Sequence, residues 1–271
     1  MTTFYRRLSV IFLVSCGFVL LQSAAFASHS WGSYHWARTS NPFTLKLGDN
    51  VTSAWDSYLA TASSDWTASS VLNTTIVAGS TSGRKCRPST GTIQVCNASY
   101  GNNGWLGLAQ IWASGNHITQ GTAKMNDTYF NSAQYNTPEW KRMVVCQEVA
   151  HGFGLDHQDE NFNNGNLGSC MDYTSDPDGP PSNEHPNSHD FDQLVTIYTH
   201  LDSTTTVSAA PPAMNQIDFD TPGQWGKLLR RSEDGRGELY VLDFGHGHKV
   251  FTFVIWANER KNQVGVNQPL R

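Results

Sequence analysis

Residues 146–157 read Cys146-Gln147-Glu148-Val149-Ala150-His151-Gly152-Phe153-Gly154-Leu155-Asp156-His157. On a helix, positions 147 and 151 stand one turn apart on one face, so both side chains can reach a single metal ion. Glu148 lies beside them, where a carboxylate can hold and deprotonate a water on that metal. Gly154 lets the chain turn sharply and brings His157 round as a further ligand. The helix carrying this stretch is well marked: Thr137 can cap it, Pro138 suits its first position, and Glu139 favours the positive end of its dipole. It is expected to run from Pro138 to about Phe153, with Gly154 in the left-handed conformation that ends helices.

Outward from this helix, Phe43 to Leu47, Leu72 to Ala78, Ile93 to Cys96, Trp105 to Trp112 and Thr122 to Asn126 read as strands, and Val51 to Ser69 as a helix. Between the last two strands, ASGNHITQG reads as a loop. Asn161 to Ser188, rich in Asn, Gly, Pro and Asp, is expected to be irregular, with a second helix from Asp190 to Leu201. The fold class is therefore α+β, a mixed sheet with helices packed on it. Ser203 to Asn215 reads as a linker. Within residues 216–271, Glu238 to Phe244 and Lys249 to Trp256 form a hairpin through Gly245-His246-Gly247. A lone hairpin is marginal, so it must dock on the main domain or gain strands from Trp225 to Leu229.

The helix stretch resembles the zinc signature of the metzincin metallopeptidases, H-E-x-x-H-x-x-G-x-x-H followed by a methionine turn. Glu148, His151, Gly154 and His157 match it, whereas Gln147 stands where that clan has its first His. Ser169-Cys170-Met171-Asp172-Tyr173 resembles the methionine turn, in which the Met lies beneath the metal and the Tyr can approach it. Gly107-Leu108-Ala109 and Thr122 to Asn126 resemble the strands bordering the substrate cleft. In element order the resemblance covers roughly Pro42 to Leu201, and it is specific at the helix and the turn. It implies a catalytic domain over residues 28–202, a single catalytic Zn2+ and a protein or peptide substrate. Glu148 would then be the general base and Tyr173 a stabiliser of the oxyanion. His151, His157 and Gln147, through its side-chain oxygen, would be the ligands.

A neutral amide oxygen is a poorer zinc donor than imidazole, so Gln147 should weaken metal retention. The same weakness leaves the ion more electrophilic, so the chemistry survives wherever the metal stays. The rival expectations are a metzincin-like binding module that has lost its metal, and a structural zinc site closed by Glu148. Asp156 to Asn166 offers oxygen donors that Ca2+ would accept, but such loops usually just make turns. His117, His185, His189 and His200 show no ligand spacing and read as surface or structural, and His246 and His248 as solvated turn residues.

Of the 271 residues, 15% are charged and 38% hydrophobic, and the formal charge is −5. With no basic run, nucleic acid is an unlikely partner by charge. The absence of heptads and of longer repeats excludes coiled coils and solenoids. Residues 1–27 read as a secretory signal peptide: MTTFYRR, an apolar stretch from Leu8 to Leu21, and Ala25-Phe26-Ala27 at the cleavage site. No later segment has the ~18 apolar residues of a membrane span. The expectation is a secreted, or in a bacterium periplasmic, monomer. Loss of the leader removes Cys16 and leaves Cys86, Cys96, Cys146 and Cys170, which suggest two disulfides in any of three pairings. Cys86 and Cys96 bracket a turn-rich loop; a Cys146–Cys170 bridge would then tie the metal helix to the turn beneath the site.

Overall fold

The computed structural model describes residues 29–205, 214 and 219–257. The expected signal peptide and most of the expected linker lie outside the described residues. Among the described residues the fold is mixed α/β, a nine-stranded mixed sheet with four α-helices. The strands are β1 (His35–Trp36), β2 (Phe43–Asn50), β3 (Leu72–Ala78), β4 (Thr92–Ala98), β5 (Trp105–Ser114), β6 (His117–Asn126), β7 (Lys227–Arg231), β8 (Gly237–Gly245) and β9 (His248–Trp256). The helices are α1 (Asp56–Trp66), α2 (Asp127–Phe130), α3 (Pro138–His151) and α4 (Ser188–Ile197).

Across the sheet the order is β3-β2-β4-β6-β5-β9-β8-β7, with β1 pairing to β6. The pairs among β1, β2, β3, β4 and β6 are parallel, and everything from β5 onward is antiparallel. The C-terminal hairpin does not sit apart from this sheet. Its strand β9 pairs with β5 from Trp105↔Trp256 to Ser114↔His248, which meets the docking requirement of a lone hairpin. The charged strand β7 makes the far edge, and Lys and Arg on an edge discourage pairing with another chain.

Alternation along β5 explains why its sequence is apolar on both faces. Leu106, Ala109, Ile111 and Ala113 join the main core with α1 and α3, whereas Trp105, Leu108 and Trp112 join a second cluster with Met214, Phe219, Trp225 and Trp256. A strand covered on both sides loses its polar face. On β9, Phe251, Phe253 and Ile255 face the main core, and Val250, Val254 and Trp256 the second.

Three expectations of extent are corrected. Strand β6 begins at His117, so the expected loop from Ala113 shrinks to a tight turn, with Gly115 N donating to Gly247 O at 2.9 Å. The polar residues that hid this strand are satisfied inside: Thr119 donates its hydroxyl to Trp112 O at 3.2 Å. Helix α1 starts at Asp56 rather than Val51, because the backbone amides of Val51 and Thr52 are held by the side chains of Asp49 and Asn97. Helix α4 ends at Ile197 rather than Leu201. Two disulfides are present, Cys86–Cys96 and Cys146–Cys170, and the second ties α3 to the turn at Met171. Among the described residues, no helix is long and apolar enough to cross a membrane.

Candidate metal centre

Helix α3 begins as its sequence dictates: Thr137 Oγ1 accepts from Trp140 N at 3.5 Å, with Pro138 in the first turn. Its other end is fixed from outside. The last carbonyls of a helix have no partner within it, and here the indole of Trp31 donates to His151 O at 3.1 Å and that of Trp36 to Gly152 O at 2.7 Å. Tyr198 donates its hydroxyl to Phe153 O at 2.8 Å. Gly154 then turns the chain with φ +100°, and a Cβ there would meet Tyr34 O at 2.6 Å, so only glycine fits.

The turn brings His157 back against the helix, with its ring centroid 4.6 Å from that of His151, the planes nearly perpendicular. Tyr173 lies 4.1 Å from the His157 ring and stacks on Phe162 at 4.4 Å. Met171 is fully buried, its turn held by Ser169, whose hydroxyl accepts from Met171 N and donates to Asp190. Gln147, Glu148, His151 and Tyr173 are likewise buried, and His157 nearly so. The structure thus gathers His151, His157 and Tyr173 into direct contact and holds Gln147 and Glu148 on the same helix.

Five polar atoms here have no hydrogen-bond partner although they are buried: Gln147 Oε1 and Nε2, Glu148 Oε2, His151 Nε2 and Tyr173 OH. Leaving such an atom unmatched costs about 1–3 kcal/mol, so the cluster is expensive unless something fills it. The histidine tautomers suit a cation. His151 Nδ1 lies 2.9 Å from Leu155 O, which places its proton there and leaves a lone pair on Nε2. His157 Nδ1 lies 3.2 Å from Glu160 Oε1, which likewise frees its Nε2. Two imidazole nitrogens are donors that zinc accepts, and Gln147 stands one turn before His151 on the same helix.

Burial sets the electrostatics. It pushes the Glu148 carboxyl well above the usual carboxylate range and the Tyr173 phenol well above its own, and it drives His151 well below the usual imidazole range, assisted by the neighbouring His157. The acids on the outer side of His157 behave differently. Burial raises Asp156 and Glu160, but hydrogen bonds from Arg230 and His157 together with the charges of those two groups outweigh it and hold both below normal. Arg230 clamps Asp156 with both terminal nitrogens and meets Glu160 with Nε at 2.9 Å. Asp156, His157 and Glu160 could group around an ion, but the guanidinium already supplies the positive charge there.

The C-terminal strands cover this centre, a role their sequence does not announce. Phe253 of β9 stacks face to face on His151 at 4.0 Å, and Arg230 comes from β7. On β8, a Cβ at Gly237 would collide with the Tyr173 ring and hydroxyl, and on β5 one at Gly107 would collide with the Glu148 carboxylate. The alternating Phe251-Thr252-Phe253 pattern reveals a strand, but only the pairing with β5 reveals what that strand lies over. No protein-family model matches the chain, and no curated protein matches it.

Proposed function

We propose that the protein is a zinc-dependent endopeptidase of metzincin type, closed in this conformation by its own C-terminal strands. The carrying observation is the set of partnerless buried atoms on Gln147, Glu148, His151 and Tyr173, which is costly in a purely structural core. His151 and His157 would hold the ion through Nε2, and Gln147 through Oε1. When bound, zinc polarises a peptide carbonyl and makes water acidic near neutral pH.

The remaining work belongs to the chain. Glu148 Oε2 takes the proton of the attacking water and passes it to the leaving amine. Tyr173 OH donates to the oxygen on which negative charge develops. In the closed site burial raises the Glu148 carboxyl well above the usual carboxylate range and so favours its protonated form, and it serves better as a base once the cover admits solvent or a cation. Strand β9 also occupies the edge of β5 along its whole length, where an extended peptide would otherwise add as a strand. With β9 in place an extended peptide cannot pair with β5, so substrate would have to reach the centre from the side of His157 once β7 moves, and turnover should be slow.

The test is peptide cleavage against free zinc for the wild type, Glu148→Ala and Gln147→His. Zinc-dependent cleavage is expected, with Glu148→Ala lowering turnover by at least about a hundredfold while zinc content holds. Loss of zinc with the carboxylate would make Glu148 a ligand and the centre structural. If neither the wild type nor Gln147→His cleaves anything at saturating zinc, the protein is a binding module built on this frame.

A further inference from the structure

We propose a second metal site, formed by His35, His200 and Asp202, that takes a divalent transition cation of the zinc class. It is built on His35 of β1, the residue before Trp36, and nothing in the spacing of these residues along the chain announces it. His35 Nε2 is 3.3 Å from Asp202 Oδ1 and 3.1 Å from His200 Nε2, and His200 Nε2 is 3.9 Å from the same carboxylate oxygen. Bonds of about 2.0–2.1 Å arranged tetrahedrally put ligand atoms about 3.3 Å apart. Two of the three edges, at 3.1 and 3.3 Å, have the length of an edge of that tetrahedron, and the third, at 3.9 Å, would close by about 0.6 Å on binding.

The proton inventory points the same way. His35 Nδ1 lies 2.8 Å from Ser33 O, so a proton on Nδ1 donates there and, in that tautomer, a lone pair on Nε2 faces the carboxylate. Two acceptors then face each other at 3.3 Å, and either a cation or a proton on His35 or on His200, whose Nε2 is 3.1 Å from the His35 imidazole and 3.9 Å from the carboxylate, stands between them. The other carboxylate oxygen is committed elsewhere: Oδ2 accepts from Arg38 N at 3.1 Å and from Arg38 Nη1 at 2.9 Å. This aims Oδ1 at the histidines, in the way outer hydrogen bonds orient ligating carboxylates. His117 Nε2, 3.1 Å from Oδ1, stands beside the face as an orienting donor. His35 is buried while His200 is more than half exposed, so an ion can enter from solvent.

Bound there, the cation would join β1 to the chain beyond α4. The segment it pins carries Trp31 and Trp36, the indoles that hold the end of α3, so the site would stiffen the frame of the first centre without touching it. Full-length protein stripped with a chelator should be titrated with zinc alone, comparing the wild type with His200→Ala and Asp202→Asn. His200 is exposed, so its removal leaves the fold intact. We expect each variant to lose one equivalent of zinc, or to bind it at least tenfold more weakly, and to show a smaller zinc-induced rise in melting temperature than the wild type. His151→Ala should leave this equivalent in place, which separates the site from the helix centre even if the latter binds nothing. Zinc stoichiometry, affinity and melting shift unchanged by both variants would overturn the proposal and leave a hydrogen-bonded His–Asp cluster.

Discussion

Replacing Phe253 by alanine probes the cost of the partnerless atoms directly, because Phe251 on the same face of the same strand is its control. Both rings are almost fully buried and both touch Trp31. Truncating a buried Phe ordinarily costs about 3–5 kcal/mol, the lost transfer energy plus the cavity. Phe251→Ala should pay in full, since its ring otherwise meets Tyr34, at 4.6 Å. Phe253→Ala opens its cavity onto His151, whose Nε2 is buried without a partner. Water admitted there finds polar partners, and each orphan it satisfies returns about 1–3 kcal/mol. Phe253→Ala should therefore cost only about 1–3 kcal/mol, at least about 1 kcal/mol less than Phe251→Ala. Urea unfolding at pH 7 with unchanged m-values measures both. A Phe253 variant as costly as the Phe251 variant, or costlier, would refute the claim that the centre is an unfilled polar cluster.

Removing the longer disulfide with Cys146→Ser and Cys170→Ser should lower unfolding free energy by about 3 kcal/mol on the chain-entropy model, read by denaturation, and non-reducing peptide mapping should recover 146 with 170 and 86 with 96. Gln147→His should tighten zinc binding by more than the roughly 10-to-100-fold known for changes one layer out; calorimetry showing equal affinity would mean that position 147 is not a ligand. Asp172 is pushed up to about 6 by burial, against bonds from Leu167 and Asn183 and with Asp159 adding to the rise. Because the folded state then holds more protons than the unfolded chain between about pH 4 and 6, this group's contribution declines as pH rises through that window. Asp172→Asn does not titrate, so its stability relative to wild type should climb by up to about 3 kcal/mol from pH 4 to 7; a flat difference would contradict the shift.

What was legible in the sequence is what local chemistry decides. Thr137-Pro138-Glu139 starts α3 and Gly154 ends its turn because capping and left-handed geometry act within a few residues. Strand β3 could be read because its run Thr74-Thr75-Ile76-Val77 is β-branched throughout. The first half of β6 could not, since His117 to Gly121 mixes polar residues and glycine, and only the neighbouring strands satisfy them. Non-local pairing hid the rest. Arg230, Gly237 and Phe253 are unremarkable until β8 and β9 lie over α3, and His35, His200 and Asp202 meet only because β1 and the end of α4 close on the same corner.

The cover is held unevenly, which decides how the centre would open. Strand β9 pairs along its length with β5 and buries seven consecutive residues from Val250 to Trp256 in two cores, so lifting it would dismantle the fold. Strand β7 is an edge, its residues exposed or half-buried, with Arg230 tied to Asp156 and Glu160 as its link to the site. Salt bridges with a partly exposed partner hold weakly and are screened by salt. Opening should therefore begin at β7 and free the acids beside His157 while β9 stays in place. Hydrogen exchange should show the β7 amides protected far less than those of β9, since local openings range from nearly free up to the global unfolding energy. Arg230→Ala or added salt should speed exchange in β7 and leave β9 unchanged. If β7 and β9 exchanged at one common rate, the cover would move only with global unfolding, and a peptidase gated by its own C-terminal strands would have no way to admit substrate.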